Sequence, residues 1–100
     1  MKIFDSKVQG LFDFEPLTPG KVGIYVCGPT VQSAPHVGHL RSAVAFDIVA
    51  RWLRIGHGYD VKLVRNVTDI DDKILVNATA LGKDWRELAV EVEAGFNEVY

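Results

Sequence analysis

The sequence is short of cysteine, of net charge and of long apolar runs. Its single cysteine, Cys27, excludes an intramolecular disulfide and favours a reducing compartment, so we expect a cytoplasmic protein. A net charge of −2 offers no broad electrostatic attraction for nucleic acid or for an anionic membrane. No apolar stretch is long enough to cross a bilayer, and no basic start precedes an apolar run as in a signal peptide. The composition, 48% hydrophobic and 24% charged, is that of an ordinary soluble globular domain.

The spacing of the apolar residues predicts an α/β fold. Short aromatic-rich runs at 2–5 and 11–14 predict a small hairpin. Residues 22–27 are apolar on both faces, which is typical of a parallel strand that is buried on both sides. Apolar residues at helical spacing predict a helix over 37–55, and the next strand is predicted over 60–67. Strand, helix and strand over this length predict a βαβ unit.

Two more helices are predicted after the second strand of this unit. Thr68 or Asp69 provides N-cap chemistry for the first of them, and Gly82 ends it. Asp84 and Glu87 resemble a capping box at the start of the second. We expect both tryptophans in the core. Because the sequence ends inside a helical pattern without a stop signal, we also expect it to be part of a longer chain.

The stretch between the first buried strand and its helix is the predicted ligand site. Open α/β sheets bind ligands beyond the carboxyl ends of their strands, facing a helix N-terminus. His36 and His39 are three residues apart at the start of the predicted helix, so both lie on one face of it. Gly38 between them allows a ligand to approach the backbone. Histidines at a helix start can also cap or pack, but the pair in this position favours a site for transfer at a nucleotide α-phosphate.

Other polar residues at the same sheet edge are open to two interpretations. Cys27 ends the first strand, and the residue types alone favour a packing role, because one cysteine cannot build a zinc site. Asn66 and Thr68 lie at the end of the next strand and reach the same edge, where helix capping and ligand contact are equally open.

Four motifs together resemble the cysteinyl-tRNA synthetase family of class I aminoacyl-tRNA synthetases: Cys27-Gly28-Pro29-Thr30, His36-Val37-Gly38-His39, Ala45-Phe46-Asp47 and Arg65-Asn66-Val67-Thr68-Asp69-Ile70-Asp71-Asp72-Lys73. The resemblance covers nearly the whole chain, although Gln32 and Ser33 stand where the family commonly has Tyr-Asp. It implies a Rossmann-like fold of the HUP type, a parallel sheet with flanking helices. Residues 1–100 would form only its first half, the N-terminal portion of the nucleotide-binding catalytic domain.

The resemblance also implies a reaction. L-Cysteine is activated with ATP, accompanied by Mg²⁺, to cysteinyl-adenylate, and the cysteinyl group then passes to tRNA(Cys). His36 and His39 would be the catalytic residues that hold the ATP phosphates, and Gly38 and Thr30 would also belong to the ATP-binding site.

The remaining implied residues surround the amino acid. Cys27 would be a ligand of a Zn²⁺ ion that binds the substrate thiolate, which reverses the packing interpretation of this residue. Gly28, Thr30, Asn66 and Thr68 would line the pocket around the substrate. The other zinc ligands and the second ATP signature are expected beyond residue 100. The whole enzyme is expected to be a monomer. The 100 residues alone are expected to be inactive.

Three alternatives stay open from the sequence. One is the homologous cysteine ligase of mycothiol biosynthesis, which makes the same adenylate but transfers it to an amino sugar; Pro29 and Val31-Gln32 favour the synthetase. Another is a nucleotidyltransferase with a His-x-Gly-His motif, which does not require Cys27. The third is a catalytically inactive fragment or interaction module.

Overall fold

The computed structural model describes residues 1–100, and its chain begins with an antiparallel hairpin. Strand β1 (Lys2–Asp5) pairs with β2 (Gly10–Asp13), which confirms the predicted hairpin with its second strand one residue earlier. The Asp5 carboxylate accepts the Lys7 N–H at 2.8 Å, a turn that side chains of this type favour. The turn therefore follows from chemistry that is local in the sequence.

A parallel pair of strands forms the second sheet. Strand β3 (Lys21–Val26) pairs in register with β4 (Asp60–Arg65). The connection between them is helix α1 (Val37–Arg51), which continues as a π-helical turn (Trp52–Gly56). The βαβ unit and the α/β class are thus confirmed. The parallel sheet has two strands, so it is smaller than the full Rossmann-like sheet that the resemblance implies.

One face of the parallel pair is buried and the other is open. Four residues form the buried cluster on the covered face: Val22, Ala50, Leu53 and Val61. On the opposite face Tyr25 and Val64 lie side by side, with exposed fractions of 70% and 42%. The prediction of a strand buried on both sides is therefore wrong, because the end of α1 and the π-helical turn cover a single face.

The last two helices pack on each other and on the loop after β3. Helix α2 spans Asp72–Leu81 and helix α3 spans Trp85–Val99. Seven residues form their shared core: Val31, Ile74, Ala78, Leu88, Ala89, Val92 and Phe96. Trp85 packs against this core, as predicted. Trp52 is 55% exposed, so the prediction of a buried Trp52 is wrong; its indole lies instead over Gly56.

The N-cap residue differs from the prediction for α2 but agrees with it for α3. Helix α2 is capped by Asp71, whose side chain accepts the Lys73 N–H at 2.8 Å, so the prediction of a cap at Thr68 or Asp69 is wrong. Thr68 is still paired with the loop after β3, and the helix begins only after that pairing ends. Asp84 caps α3 as predicted. Its side chain accepts the N–H of Arg86, however, whereas a capping box requires the N–H of Glu87.

The two buried clusters give the chain an elongated shape of 50 × 29 × 24 Å. Its radius of gyration is 17.0 Å, against about 13 Å for a compact domain of this length. None of the helices combines the length and apolarity needed to span a membrane. Val31 and Val67, which follow β3 and β4, belong to or pack against the helical cluster, so this cluster lies beyond the carboxyl ends of the two strands, where the candidate site also lies.

Candidate functional site

The loop after β3 remains paired with the segment after β4. The Thr68 N–H donates to the Pro29 carbonyl at 3.0 Å, and the Val31 N–H donates to the Thr68 carbonyl at 3.1 Å. These bonds form a short parallel bridge between Thr30 and Thr68. Thr68 therefore holds the loop through its backbone at the residues on either side of Thr30, and neither threonine lines the cavity described below.

Gly28 and Asn66 are in direct contact within this pairing. The Gly28 N–H donates to Oδ1 of Asn66 at 2.6 Å. A Cβ atom added to Gly28 would lie 1.6 Å from the Asn66 carbonyl oxygen, so only glycine fits at this position. The Asn66 side chain is thus engaged with the loop backbone, and Asn66 is not among the residues that line the cavity.

The two motif histidines cap the start of α1. His36 is the N-cap residue, and its Nδ1 accepts the Gly38 N–H at 3.1 Å. In return, Nδ1 of His39 accepts the His36 N–H at 3.1 Å, and the two rings stack with centroids 3.8 Å apart. Because each Nδ1 is an acceptor, each neutral ring carries its proton on Nε2. Capping therefore leaves both Nε2–H groups available as donors.

The surroundings of His39 favour its neutral form. Its ring is half-buried and meets Phe96 edge to face, with centroids 4.9 Å apart. Burial lowers the pKa of His39 below its usual value of 6.5, and the charge of His36 lowers it further. A neutral His39 keeps both its cap and its Nε2–H donor.

A cavity of about 200 Å³ brings Cys27 and His39 together. It is lined by Cys27, Gly28, Pro29, Gly38, His39, Ser42, Arg65 and Tyr100. The thiol of Cys27 is exposed, so the packing interpretation of this residue is wrong. The sulfur of a strand end and the imidazole of a helix start therefore face one opening.

Four of the lining residues were not predicted as site residues: Pro29, Ser42, Arg65 and Tyr100. Ser42 follows His39 by three residues on α1, so helical spacing could have placed it on the same face. Arg65 ends β4 and pairs with Val26 in register, so the rule for strand ends could have found it as well. Tyr100 comes from the end of α3, and its ring lies under the Arg65 guanidinium at 4.8 Å. No local sequence signal indicates that contact.

The donor set of the cavity includes a single soft metal ligand. Tetrahedral zinc requires four ligands, and the chain contains no group of three or more His, Cys, Asp or Glu residues that could hold a metal. Cys27 has the chemistry and the exposure to supply one ligand. In the same cavity, the Nε2–H donor of His39, the start of α1 at Gly38 and the Arg65 cation suit an anionic group such as a phosphate, whereas His36 is not among the lining residues.

Comparisons with known proteins give a consistent result. The family model described as the class I (C) tRNA synthetase catalytic domain matches residues 13–100. A cysteine–tRNA ligase of Beutenbergia cavernae is 54% identical over 100 residues, which are 100% of this chain and 21% of the relative. The cysteine–tRNA ligases of Clavibacter sepedonicus and Streptomyces coelicolor are 57% and 50% identical, again over 100% of this chain, and it covers 22% and 16% of them. The chain thus spans about a fifth of the length of the curated relatives it matches.

Proposed function

The chain belongs to the family of class I (C) tRNA synthetase catalytic domains, and on that premise we propose that residues 1–100 form the N-terminal, nucleotide-binding portion of a cysteine–tRNA ligase. The complete enzyme would activate L-cysteine with ATP and pass the cysteinyl group to tRNA(Cys). We further propose that it acts as a cytoplasmic monomer. The observation that carries the proposal is the shared cavity of Cys27 and His39, because activation requires an amino acid and an α-phosphate to meet.

The histidines act on the phosphate in this proposal. The cysteine carboxylate attacks the α-phosphorus of ATP, a carboxyl oxygen–phosphorus bond forms, and the bond to pyrophosphate breaks. The Nε2–H groups of His36 and His39 donate to phosphate oxygens as negative charge builds on them. Both rings are already oriented by the backbone bonds at Nδ1, so little reorganisation is needed during the reaction. Mg²⁺ would accompany ATP as its counter-ion.

Cys27 acts on the amino acid. Its sulfur is exposed and is the donor type that zinc prefers, and we propose that it provides one ligand while residues outside these 100 provide the others. When bound, the zinc ion would recognise the substrate by a metal–sulfur bond, which serine cannot form. Gly28 holds the loop at that point close enough to β4 to aim Cys27 into the cavity.

The relatives named above are cysteine–tRNA ligases, so they do not favour the mycothiol-type ligase, the nucleotidyltransferase or the inactive module. The test uses the complete protein and measures cysteine-dependent exchange of pyrophosphate into ATP. Charging of tRNA(Cys) is then compared with transfer to glucosaminyl-inositol. We expect exchange that requires cysteine, with tRNA as the acceptor.

Two variants sharpen this experiment. Cys27→Ser should lower zinc retention during dialysis against a chelator and should raise the KM for cysteine more than the KM for ATP. His57→Ala is the matched control for histidine loss, because His57 lies after the π-helical turn and outside the cavity. Exchange that does not depend on cysteine, or transfer to the amino sugar alone, would exclude the proposed function.

A further inference from the structure

Asn66 holds the residues on both sides of Cys27. Its N–H donates to the carbonyl of Val26 at 3.4 Å, and its Oδ1 accepts the N–H of Gly28 at 2.6 Å. Cys27 is the residue between these two attachment points, and its own side chain is exposed. One asparagine on the neighbouring strand end therefore sets the backbone before and after the thiol.

The bond at Oδ1 replaces a backbone bond. In a regular parallel pair, a residue donates its N–H to one residue of the neighbouring strand, and its carbonyl accepts the N–H of the residue two positions further along that strand. Since the Asn66 N–H donates to Val26, its carbonyl would regularly accept the N–H of Gly28. Here the Gly28 N–H binds the side-chain oxygen of Asn66 instead, and the Gly28 Cα lies against the Asn66 carbonyl. Regular pairing resumes only at Pro29, whose carbonyl accepts the Thr68 N–H. The backbone is thus displaced from the regular sheet at the position where Cys27 faces the cavity.

We infer that Asn66 is a positioning residue that orients the Cys27 thiol by accepting the Gly28 N–H, and does not itself contact the substrate. This inference rests on the proposed function, in which Cys27 recognises the amino acid. It differs from the prediction that Asn66 lines the substrate pocket, because its oxygen is already used by the loop backbone. Partners of metal-ligating residues commonly act in this way.

The test compares two substitutions at Asn66 in the complete protein. Asn66→Leu keeps the approximate volume but removes the acceptor, whereas Asn66→Asp keeps an oxygen at the same position. Asn77→Leu is the matched control: Nδ2 of Asn77 donates to the Gln32 carbonyl at 3.0 Å, so it also ties this loop, but away from Cys27. All variants are compared for thermal stability, for the KM of cysteine and of ATP, and for the rate at which iodoacetamide alkylates Cys27 after removal of metal.

We expect Asn66→Leu to raise the KM for cysteine by about tenfold or more, while the KM for ATP changes less than about twofold. The alkylation rate of Cys27 should change several-fold in the same variant. Asn66→Asp should restore both values to near those of the unmodified protein. Asn77→Leu should lower the melting temperature with no effect on the cysteine KM or on alkylation.

Two results from the comparison of variants, and a third from the alkylation rate, would overturn the inference. One is an equal effect of Asn66→Leu and Asn77→Leu, which would indicate a general loss of loop stability. The other is a failure of Asn66→Asp to rescue, since the acceptor would then not be the cause. The alkylation rate reports the Cys27 geometry whether or not Cys27 binds substrate. A normal cysteine KM in Cys27→Ser would therefore remove the proposed function, while unchanged alkylation in Asn66→Leu would remove this inference alone.

Discussion

The His36 N–H donates to Nδ1 of His39 at 3.1 Å, and the two imidazole rings stack with centroids 3.8 Å apart. Capping and phosphate binding stand as alternatives for these residues in the sequence, but the structure makes them compatible. The cap uses Nδ1 of each ring and fixes its orientation, so that Nε2–H remains for a ligand. The capping role of the pair is thus compatible with the proposed chemical role.

The role of His39 is tested by His39→Ala in the complete protein. We expect adenylate formation to fall by about 10²–10³-fold, because the lost donor acts mainly on charge that develops in the transition state. The KM for cysteine should change little. Single-turnover formation of cysteinyl-adenylate is the measurement, and His57→Ala serves as the control. Equal losses in rate and in cysteine affinity would contradict the role.

The protonation state of His39 predicts how stability depends on pH. Because folding lowers the pKa of His39 below 6.5, the unfolded chain binds more protons than the folded chain between the two pKa values. Stability is therefore expected to rise as pH increases through this window and to level off above about 6.5. Protonation would also convert Nδ1 into a donor and break the cap with His36.

The measurement is an NMR titration of the histidine-labelled chain at low temperature, in which three imidazoles must be resolved. It should give a pKa for His39 below 6.5 and ¹⁵N shifts of the Nε2–H tautomer at neutral pH. In urea unfolding, His39→Gln should remove the rise in stability over the same window. A pKa above 6.5 would contradict the prediction.

Local chemistry was readable from the sequence, whereas contacts between distant segments were not. Asp84 was identified as a cap because an N-cap acts within its own turn. The prediction of a cap at Thr68 is wrong, because its backbone pairs with the loop around Thr30, which lies 38 residues earlier in the chain. Val44 and Ile48 are one helical turn apart on α1, but both are more than half exposed, because helical spacing does not determine what packs on a face.

The site follows the same division. Ligands of open α/β sheets bind beyond the carboxyl ends of the strands, and this rule predicts that Cys27 and His39 lie at one edge of the sheet. In the structure both residues line one cavity. At Asn66, the side-chain oxygen accepts the Gly28 N–H in place of the backbone carbonyl, and no sequence pattern predicts this. The approach of Tyr100 to Arg65 depends on how α3 packs, and periodicity within α3 does not determine that.

The tight contact at Gly28 predicts a strong effect of Gly28→Ala. The added Cβ would collide with the Asn66 carbonyl, so we expect a loss of about 2–4 kcal/mol of unfolding free energy, enough to unfold much of the chain. Gly23→Ala is the matched control, because a Cβ at Gly23 meets nothing within 4 Å. It should stay within about 0.5–1 kcal/mol of the original. Far-UV circular dichroism in denaturant is the measurement, and equal stability of the two variants would refute the contact.

Arg65 is the one permanently charged side chain that lines the cavity. A guanidinium beside the proposed phosphate site should favour an anionic substrate group, so Arg65→Met is expected to raise the KM for ATP by about 5–10-fold. Arg86→Met is the control, since Arg86 also lies over an aromatic ring, that of Trp85, but outside the cavity. Pyrophosphate exchange at varied ATP concentration gives the comparison. An equal response of the two variants would show that the charge acts at long range and has no site of its own.

The 100-residue chain by itself is expected to unfold gradually and at low temperature. Only 13 of its 100 residues are buried; seven of these form the cluster of α2 and α3, and four form the separate cluster on the parallel pair. Small separate cores supply little stabilisation against the conformational entropy of the chain, and two clusters with few shared contacts need not melt together.

Phe96→Ala separates the two clusters experimentally. Phe96 is 1% exposed in the helical cluster, so its loss should cost about 3–5 kcal/mol there and abolish the helical transition. The signal of the parallel pair, followed through Tyr59 beside that sheet, should persist in part. Calorimetry and tyrosine fluorescence of the same sample are the measurements. A single sharp transition at high temperature that is lost completely in Phe96→Ala would contradict this prediction. The two clusters would then unfold as one cooperative unit, and contacts other than those within each cluster would have to couple them.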